Sequence, residues 1–563
     1  MVTLPSGIKP GSPTSTRGRS VLASATYSPG ALITVFDGQT APSIAIPDSY
    51  QLSRTCHYCL AIASGNDPTT PSPVSVRACT GCRAAYYCST ACQKLDWALG
   101  HGNGECKCFR RVRTSSAAEA EANPSQTPMN PPLRDLPTPI RALVQVLVRP
   151  EMRAAFNEME GHRRAHRTAE QGKEWERIAI QAHAAFHYMN RKPNQADLEE
   201  AMEIVCKLKI NSFDRLDVDI GQSGTFVNPA LAMVNHSCVP NAFVQFIGRK
   251  AVLHAYREIQ EGEEIVISYI DFTLPRLLRQ KALKRYYFEC VCPRCAQDLD
   301  IYQVCQRYPH LELNSFSLVI DLEKLRHPPI EKNLRSNSSL QKYIKNIYPE
   351  CTAPLQGLNL PEKTRHLRHR WKMCAQIRQA KLYAVEPLSQ AIVEGSICFC
   401  EQGNFPYALS VSSFLALESD PYRGPMPFHG PRVKGMLMVA KLLANTAADS
   451  LSSPSGGTGI SARLLEVLSK MDQATMCQVI LAMVIHYCPA AHSKEWVVYH
   501  QANDLLKDIE RLPGRETENV LINAFVKNPT GSEEVRFFNM AVLEPIQKLA
   551  GFALEIMDSE FGV

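Results

Sequence analysis

No uninterrupted apolar stretch in the 563 residues approaches the ~20 needed to span a membrane. The opening MVTLPSGIKPGSPTSTRGRS holds no apolar core of the kind a secretory signal requires. The chain therefore reads as a soluble intracellular protein, of the nucleus, the cytoplasm or both, with no membrane partner. Concentrated positive charge is scarce as well. The net charge of +6 is mild, and outside one basic run at 364–381 no element gathers Lys and Arg into a block of the kind a DNA-binding domain presents. Nucleic acid stays open as a partner without being demanded. No strict sequence period is present either, which removes the simplest signature of a repeat protein.

Cysteine, by contrast, is plentiful. Twenty residues are Cys, and in a compartment that keeps thiols reduced a disulfide framework is not the expected use for them. Where they cluster, metal binding is the better reading. From Cys56 the order is C-x2-C (Cys56, Cys59), C-x2-C (Cys79, Cys82), C-x3-C (Cys88, Cys92), then His101 and Cys106. Eight soft ligands in close pairs suit two tetrahedral zinc ions. A segment of ~50 residues has too little core to fold alone, so the metals would supply much of its stability. A second cluster, FECVCPRC, sets Cys290, Cys292 and Cys295 in C-x-C-x2-C spacing. Three thiolates leave a zinc one ligand short, and Cys238 in NHSCVPN is a candidate fourth.

Composition divides the rest. RSVLASATYSPGALITVF near the start is β-prone, broken at Pro29-Gly30. Residues 138–210 carry apolar positions at three- and four-residue spacing, as in LEEAMEIVCKL, and read as helical. NAFVQFIGRKAVLHAY reads as a hairpin bending at Gly248, and EIVISYI as a further strand. The carboxy-terminal part is a series of amphipathic helices. Its basic run TRHLRHRWKMCAQIRQAK (364–381) reads first as a solvated helix face, although it could face an acidic substrate.

YYCSTACQKLDW followed by HGNGEC resembles the MYND zinc finger. In that family alternate pairs share an ion. The resemblance implies Cys56, Cys59, Cys88 and Cys92 on one zinc, with Cys79, Cys82, His101 and Cys106 on the other. The gap between Cys59 and Cys79 is long for the family and reads as an inserted loop. NHSC-x-PN, then GEEIVISY, then FECVCPRC is similar in order to the SET domain of lysine methyltransferases with its post-SET segment, and RGRSVLA resembles the SET amino-terminal motif. A MYND finger between SET halves is the hallmark of the SET-and-MYND (SMYD) family.

That resemblance implies a multi-domain α+β chain. The SET amino-terminal part is expected over 1–55, the MYND finger over 56–106 and a flexible linker over 107–137. A helical insert follows at 138–210, the SET core at 211–275, the post-SET zinc segment at 276–300 and an all-helical TPR-like domain at 301–563. It implies S-adenosylmethionine and three zinc ions as cofactors, and methyl transfer to lysine in a protein or peptide substrate, histone or not. By motif match, Tyr269 is the catalytic tyrosine, and Tyr286 and Phe213 wall the lysine channel. Arg17, Arg19, His162, Asn211, Asn235, His236, Tyr269 and Phe288 would meet the cofactor. A monomer is expected, with a Pro-containing peptide as a further partner of the finger. The alternative is a protein-interaction adaptor with a vestigial catalytic portion. Such a chain should have lost Tyr269 or the NHSC phrase, and both are present.

Overall fold

The structure, a computed structural model, describes residues 3–11, 18–63, 74–122, 136–217, 221–308, 334, 337–355, 357–426, 428–449, 459–488 and 496–562. Arg17, most of the inserted stretch after Cys59 and most of the Ser/Gly/Pro loop near 450 lie outside these residues. The chain divides into two compact units. One comprises residues 1–267 with 284–288, the other residues 268–283 with 289–563.

In the first unit, β1 (Ile8–Pro10) and β2 (Val21–Ala23) form a short antiparallel ribbon. β3 (Leu32–Phe36) joins a second sheet, and β4 (Ile44–Pro47) a third. β5 (Arg77–Ala78) and β6 (Tyr86–Tyr87) pair within the Cys-dense segment, followed by α1 (Thr90–Asp96) and α2 (Cys106–Ala122). Five helices follow: α3 (Thr138–Val148), α4 (Pro150–Asn157), α5 (Arg163–Thr168), α6 (Lys173–Met189) and α7 (Gln195–Asn211). Then come β7 (Phe213–Asp217), β8 (Gly221–Val227), β9 (Asn235–His236), β10 (Ala242–Ile247), β11 (Lys250–Ala255) and β12 (Val266–Ile267).

Local chemistry sets these limits. α3 stops because Arg149 precedes Pro150 and is extended, while Pro150 opens α4, where no donor is needed. α7 starts at a capping box: Asn194 accepts from the Asp197 amide at 2.8 Å, and the Asp197 carboxylate accepts from the Asn194 amide at 3.1 Å. β10 and β11 turn through two residues, with Gly248 first at φ +52°, the left-handed conformation that glycine takes without strain. The expected hairpin is there.

Two expectations need correction. Residues 107–122, read as linker, belong to α2. Cys108, Phe109 and Val112 on that helix are buried, and the following AAEAEA is rich in strong helix formers. The polarity and prolines further on masked this. Of EIVISYI only Val266 and Ile267 form strand, paired parallel to β9.

Among the described residues the second unit is helical beyond residue 300. Leu388–Glu401 packs on Phe405–Glu418, that helix on Gly430–Asp449, and that one on Gln473–Tyr487, which meets Val497–Glu510. Ile460–Ser469 stands outside this series and packs on Phe405–Glu418 and Glu544–Ala550 instead. The basic run forms the helices Leu360–Met373 and Ala375–Gln379. It is largely a solvated face with ion pairs such as Lys363–Glu401 at 2.6 Å, except that Arg370 is buried on Glu394. Among the described residues no helix is long and apolar enough to cross a membrane.

Candidate functional site

Two groups of four ligands form in the Cys-dense segment, in the alternating pattern. Cys56, Cys59, Cys88 and Cys92 make one, and Cys79, Cys82, His101 and Cys106 the other. Ser89 caps α1 by accepting from the Cys92 amide at 3.1 Å, which fixes Cys92 one turn from Cys88. Cys59 Sγ lies 3.6 Å from Cys88 Sγ, Cys88 Sγ 3.6 Å from Cys92 Sγ, and Cys82 Sγ 3.6 Å from His101 Nε2. Tetrahedral bonds of about 2.3 Å to sulfur and about 2.0 Å to nitrogen put ligand atoms roughly 3.5–3.8 Å apart. The donor sets therefore fit zinc. Gly81 passes so close that a Cβ there would sit 3.0 Å from Cys106 Sγ. Cys238 lies in the first unit and Cys290, Cys292 and Cys295 in the second, and all four are buried.

Behind the second group is a buried polar network that the spacing of cysteines did not reveal. His101 Nδ1 faces Glu105 Oε2 at 3.2 Å, which orients the ring so that Nε2 points at the thiols. Arg141 on α3 donates to Glu105 Oε1 at 3.1 Å, to the Pro47 carbonyl at 2.7 Å and to His57 Nε2 at 2.5 Å. His57 Nδ1 in turn meets Asp96 Oδ2 at 2.9 Å, which also accepts from the Tyr87 hydroxyl at 2.8 Å. Burial pushes the Glu105 carboxyl up, but His57, Arg141 and His101 around it outweigh that and hold it well below the usual carboxylate range. Although His57, Asp96, His101 and Glu105 could be metal ligands by type, the cation among them is the Arg141 guanidinium. From the β10–β11 turn, Arg249 donates to the carbonyls of Ala45 at 3.0 Å and Tyr58 at 3.2 Å. The finger is thus bolted to its own unit by two arginines.

The polar phrase at 235–241 is laced to the segment 263–267. Asn235 Nδ2 donates to Glu264 Oε1 at 2.8 Å, and Asn241 Nδ2 to the Glu264 carbonyl at 2.8 Å. Asn241 Oδ1 accepts from the Val266 amide at 2.8 Å, and the Ser237 amide donates to the Ile267 carbonyl at 2.9 Å. Both asparagines spend their amides on backbone or on the paired glutamates. The partners were readable as a GEE motif, but their pairing was not.

From Asn235 a chain of hydrogen bonds runs through other expected residues. Asn235 Nδ2 also donates to the Arg19 carbonyl at 2.9 Å. The exposed Arg19 guanidinium donates to the Glu158 carbonyl. Two residues on, the Glu160 carbonyl accepts from Asn211 Nδ2 at 2.8 Å. The Glu160 side chain accepts from the His162 amide at 3.0 Å and the Gly161 amide at 3.1 Å. The first of these does most to hold its carboxyl below the usual range. His162 stands at the start of α5 with φ +47°. On the other side of the phrase, the His236 ring lies 5.9 Å from that of Phe288, which is 38% exposed. Phe288 lies 6.5 Å from the buried ring of Tyr286. Phe213 opens β7, half-buried, with its ring 6.4 Å from Phe246. Tyr269 follows β12 by two residues and is half-buried.

Residues 18–270 match the SET domain family. Among similar proteins is "SET domain and MYND-type zinc finger protein 6" of Schizosaccharomyces pombe, 31% identical over 253 residues, covering 45% of this chain and 45% of that protein. "N-lysine methyltransferase SMYD2" of Homo sapiens is 24% identical over 350 residues, covering 60% of this chain and 68% of that protein. "Histone-lysine N-methyltransferase SMYD3" of Mus musculus is 31% identical over 240 residues, covering 39% and 49%. The chain spans about half the length of the curated relatives it matches.

Proposed function

We propose, from the premise that this chain carries a SET domain of the SET-and-MYND kind over residues 18–270, that it is a protein-lysine methyltransferase. The observation that carries the reading is the connected set of Arg19, the 158–162 loop, Asn211 and Asn235, with Phe288 beside His236. S-adenosylmethionine, when bound, supplies an electrophilic methyl on a sulfonium that departs as a neutral thioether.

The groups present suit that ligand. An exposed guanidinium at Arg19 matches a carboxylate, and a half-exposed aromatic face at Phe288 matches a stacked base. Arg17, His162, Asn211, Asn235 and His236 are assigned to the same pocket on the family resemblance. Tyr269 is assigned as the residue whose hydroxyl orients the methyl group through weak C–H···O contacts.

The acceptor amine must arrive neutral. Tyr286 and Phe213 are assigned to an apolar channel wall, where desolvation disfavours the lysine ammonium and lets its proton leave to water. Burial pushes the Tyr286 phenol up, so its hydroxyl stays neutral while it lines that wall. Three zinc ions would be held, two by the finger groups and one by Cys238 with Cys290, Cys292 and Cys295 on the family resemblance, and would supply structural stability rather than chemistry. A protein or peptide substrate, a Pro-containing peptide at the finger, intracellular residence and a monomeric chain complete the reading.

Equilibrium binding of S-adenosylmethionine to the zinc-loaded full chain tests it. Binding in the micromolar range, with transfer of radiolabelled methyl groups to lysines on a protein array, is expected. No binding at millimolar cofactor overturns it.

A further inference from the structure

Three aromatic residues follow one another at Tyr286, Tyr287 and Phe288, and the site uses only the outer two. The middle one turns away at φ +59°, a left-handed conformation that an aromatic residue adopts only where its surroundings hold it there. What holds it is on α5. The Tyr287 hydroxyl lies 2.8 Å from His166 Nδ1, and the two rings meet edge to face at 4.8 Å. His162, one turn earlier, sets its ring 5.8 Å from the same tyrosine. His166 is 2% exposed, and its Nε2 is buried with no hydrogen-bond partner among the described residues. The bond to Tyr287 is thus the ring's polar contact, whichever nitrogen carries the proton.

We infer that Tyr287 and His166 are a positioning pair. Resting on the proposed function, the pair keeps Tyr286 and Phe288 on one side of the backbone, where the first walls the amine channel and the second receives the adenine. The reasoning is geometric. Tyr286 ends the 3-10 turn Lys284–Tyr286 and Tyr287 is left-handed, so the backbone bends between them and the middle ring goes to α5 while the rings on either side stay near each other. The Tyr286 and Phe288 rings are 6.5 Å apart, and that of Phe288 is 5.9 Å from His236. Without the anchor at His166, the left-handed residue can relax, and Phe288 swings with it. Neither Tyr287 nor His166 touches a reacting atom; they act through the residues on either side.

The test is a double-mutant cycle on the zinc-loaded full chain with S-adenosylmethionine as the probe, read by calorimetric titration. Tyr287→Phe removes one hydroxyl and is expected to weaken binding about fivefold, the equivalent of one hydrogen bond of about 1 kcal/mol. His166→Phe should do the same, and the double variant should be no worse than either, because both remove one interaction. His166→Asn, whose amide can replace Nδ1, should restore most of the affinity. Thermal midpoint and zinc content are measured alongside, and a loss of affinity with both unchanged separates positioning from general destabilisation. If the wild type binds and Tyr287→Phe binds within twofold of it, or if the two losses multiply, the pair has no such role. If the wild type itself fails to bind, the methyltransferase reading fails, and this inference with it.

Discussion

Replacing Arg141 by methionine keeps most of the stem and removes the guanidinium. Its hydrogen bonds to Glu105 at 3.1 Å, Pro47 at 2.7 Å and His57 at 2.5 Å go with it. Arg141 and Glu105 are both 0% exposed, so water cannot take the lost partner's place. Stranding one member of a buried ion pair costs about 3–5 kcal/mol, because the carboxylate stays desolvated. For a unit of this size each kcal/mol lowers the melting midpoint by about 2–4 °C. Arg141→Met should therefore melt the finger-bearing unit roughly 10 °C earlier in scanning calorimetry. It should also speed zinc release to a chromogenic chelator, since His101 loses the group that fixes Glu105. Adding Glu105→Gln should recover part of the loss by removing the stranded charge. A single variant melting within 2 °C of wild type, with unchanged zinc release, would refute the reasoning.

Tyr269→Phe should keep cofactor affinity while slowing methyl transfer roughly tenfold or more, if its hydroxyl orients the methyl group; undiminished turnover would remove it from the mechanism. Elemental analysis should find three zinc ions per chain, and Cys238→Ser should leave two firmly held; two in the wild type would dissolve the third site. A pH effect follows from His166. Burial holds its imidazole below the ordinary 6.5, with Glu174 pulling it up and Lys209 and His162 pressing it down. The folded state prefers the neutral ring, so this contribution is complete above pH 6.5 and is lost as pH falls from there toward the depressed folded value. Denaturant melts from pH 7.5 to 5.5 should show a shallower loss for His166→Asn than for wild type, and identical slopes would argue against it.

The finger's cysteine and histidine groups, which could hold zinc, were readable because two cysteines on one turn announce themselves by spacing. The same holds for the Gly248 hairpin and the helices of the 138–211 region, each governed by short-range pattern. Legibility ended where partners are far apart in sequence. Nothing near Asn235 says that it closes on Arg19 and Glu264, and nothing near Arg141 points to Glu105 and His57. A basic residue inside the apolar run IRALVQVLV carries one hint, since a charge on an otherwise buried helix face needs a partner. α2 was misread for the opposite reason. Its polar, Ala-rich sequence hides three buried positions at its start, and the prolines beyond it dominate the composition.

Asn235 and Arg19 are joined although they stand 216 positions apart in the chain. β2 likewise takes backbone partners at Glu263 and Ile265, far downstream. On a ribosome adding about 5–20 residues per second, the first strands wait roughly 10–40 s for the segment that completes them. Through that interval β2 is an open edge able to pair with a neighbouring nascent chain. Output of the protein in a cell should accordingly depend on holding chaperones, and slowing translation after the 263–267 segment should matter less than slowing it before.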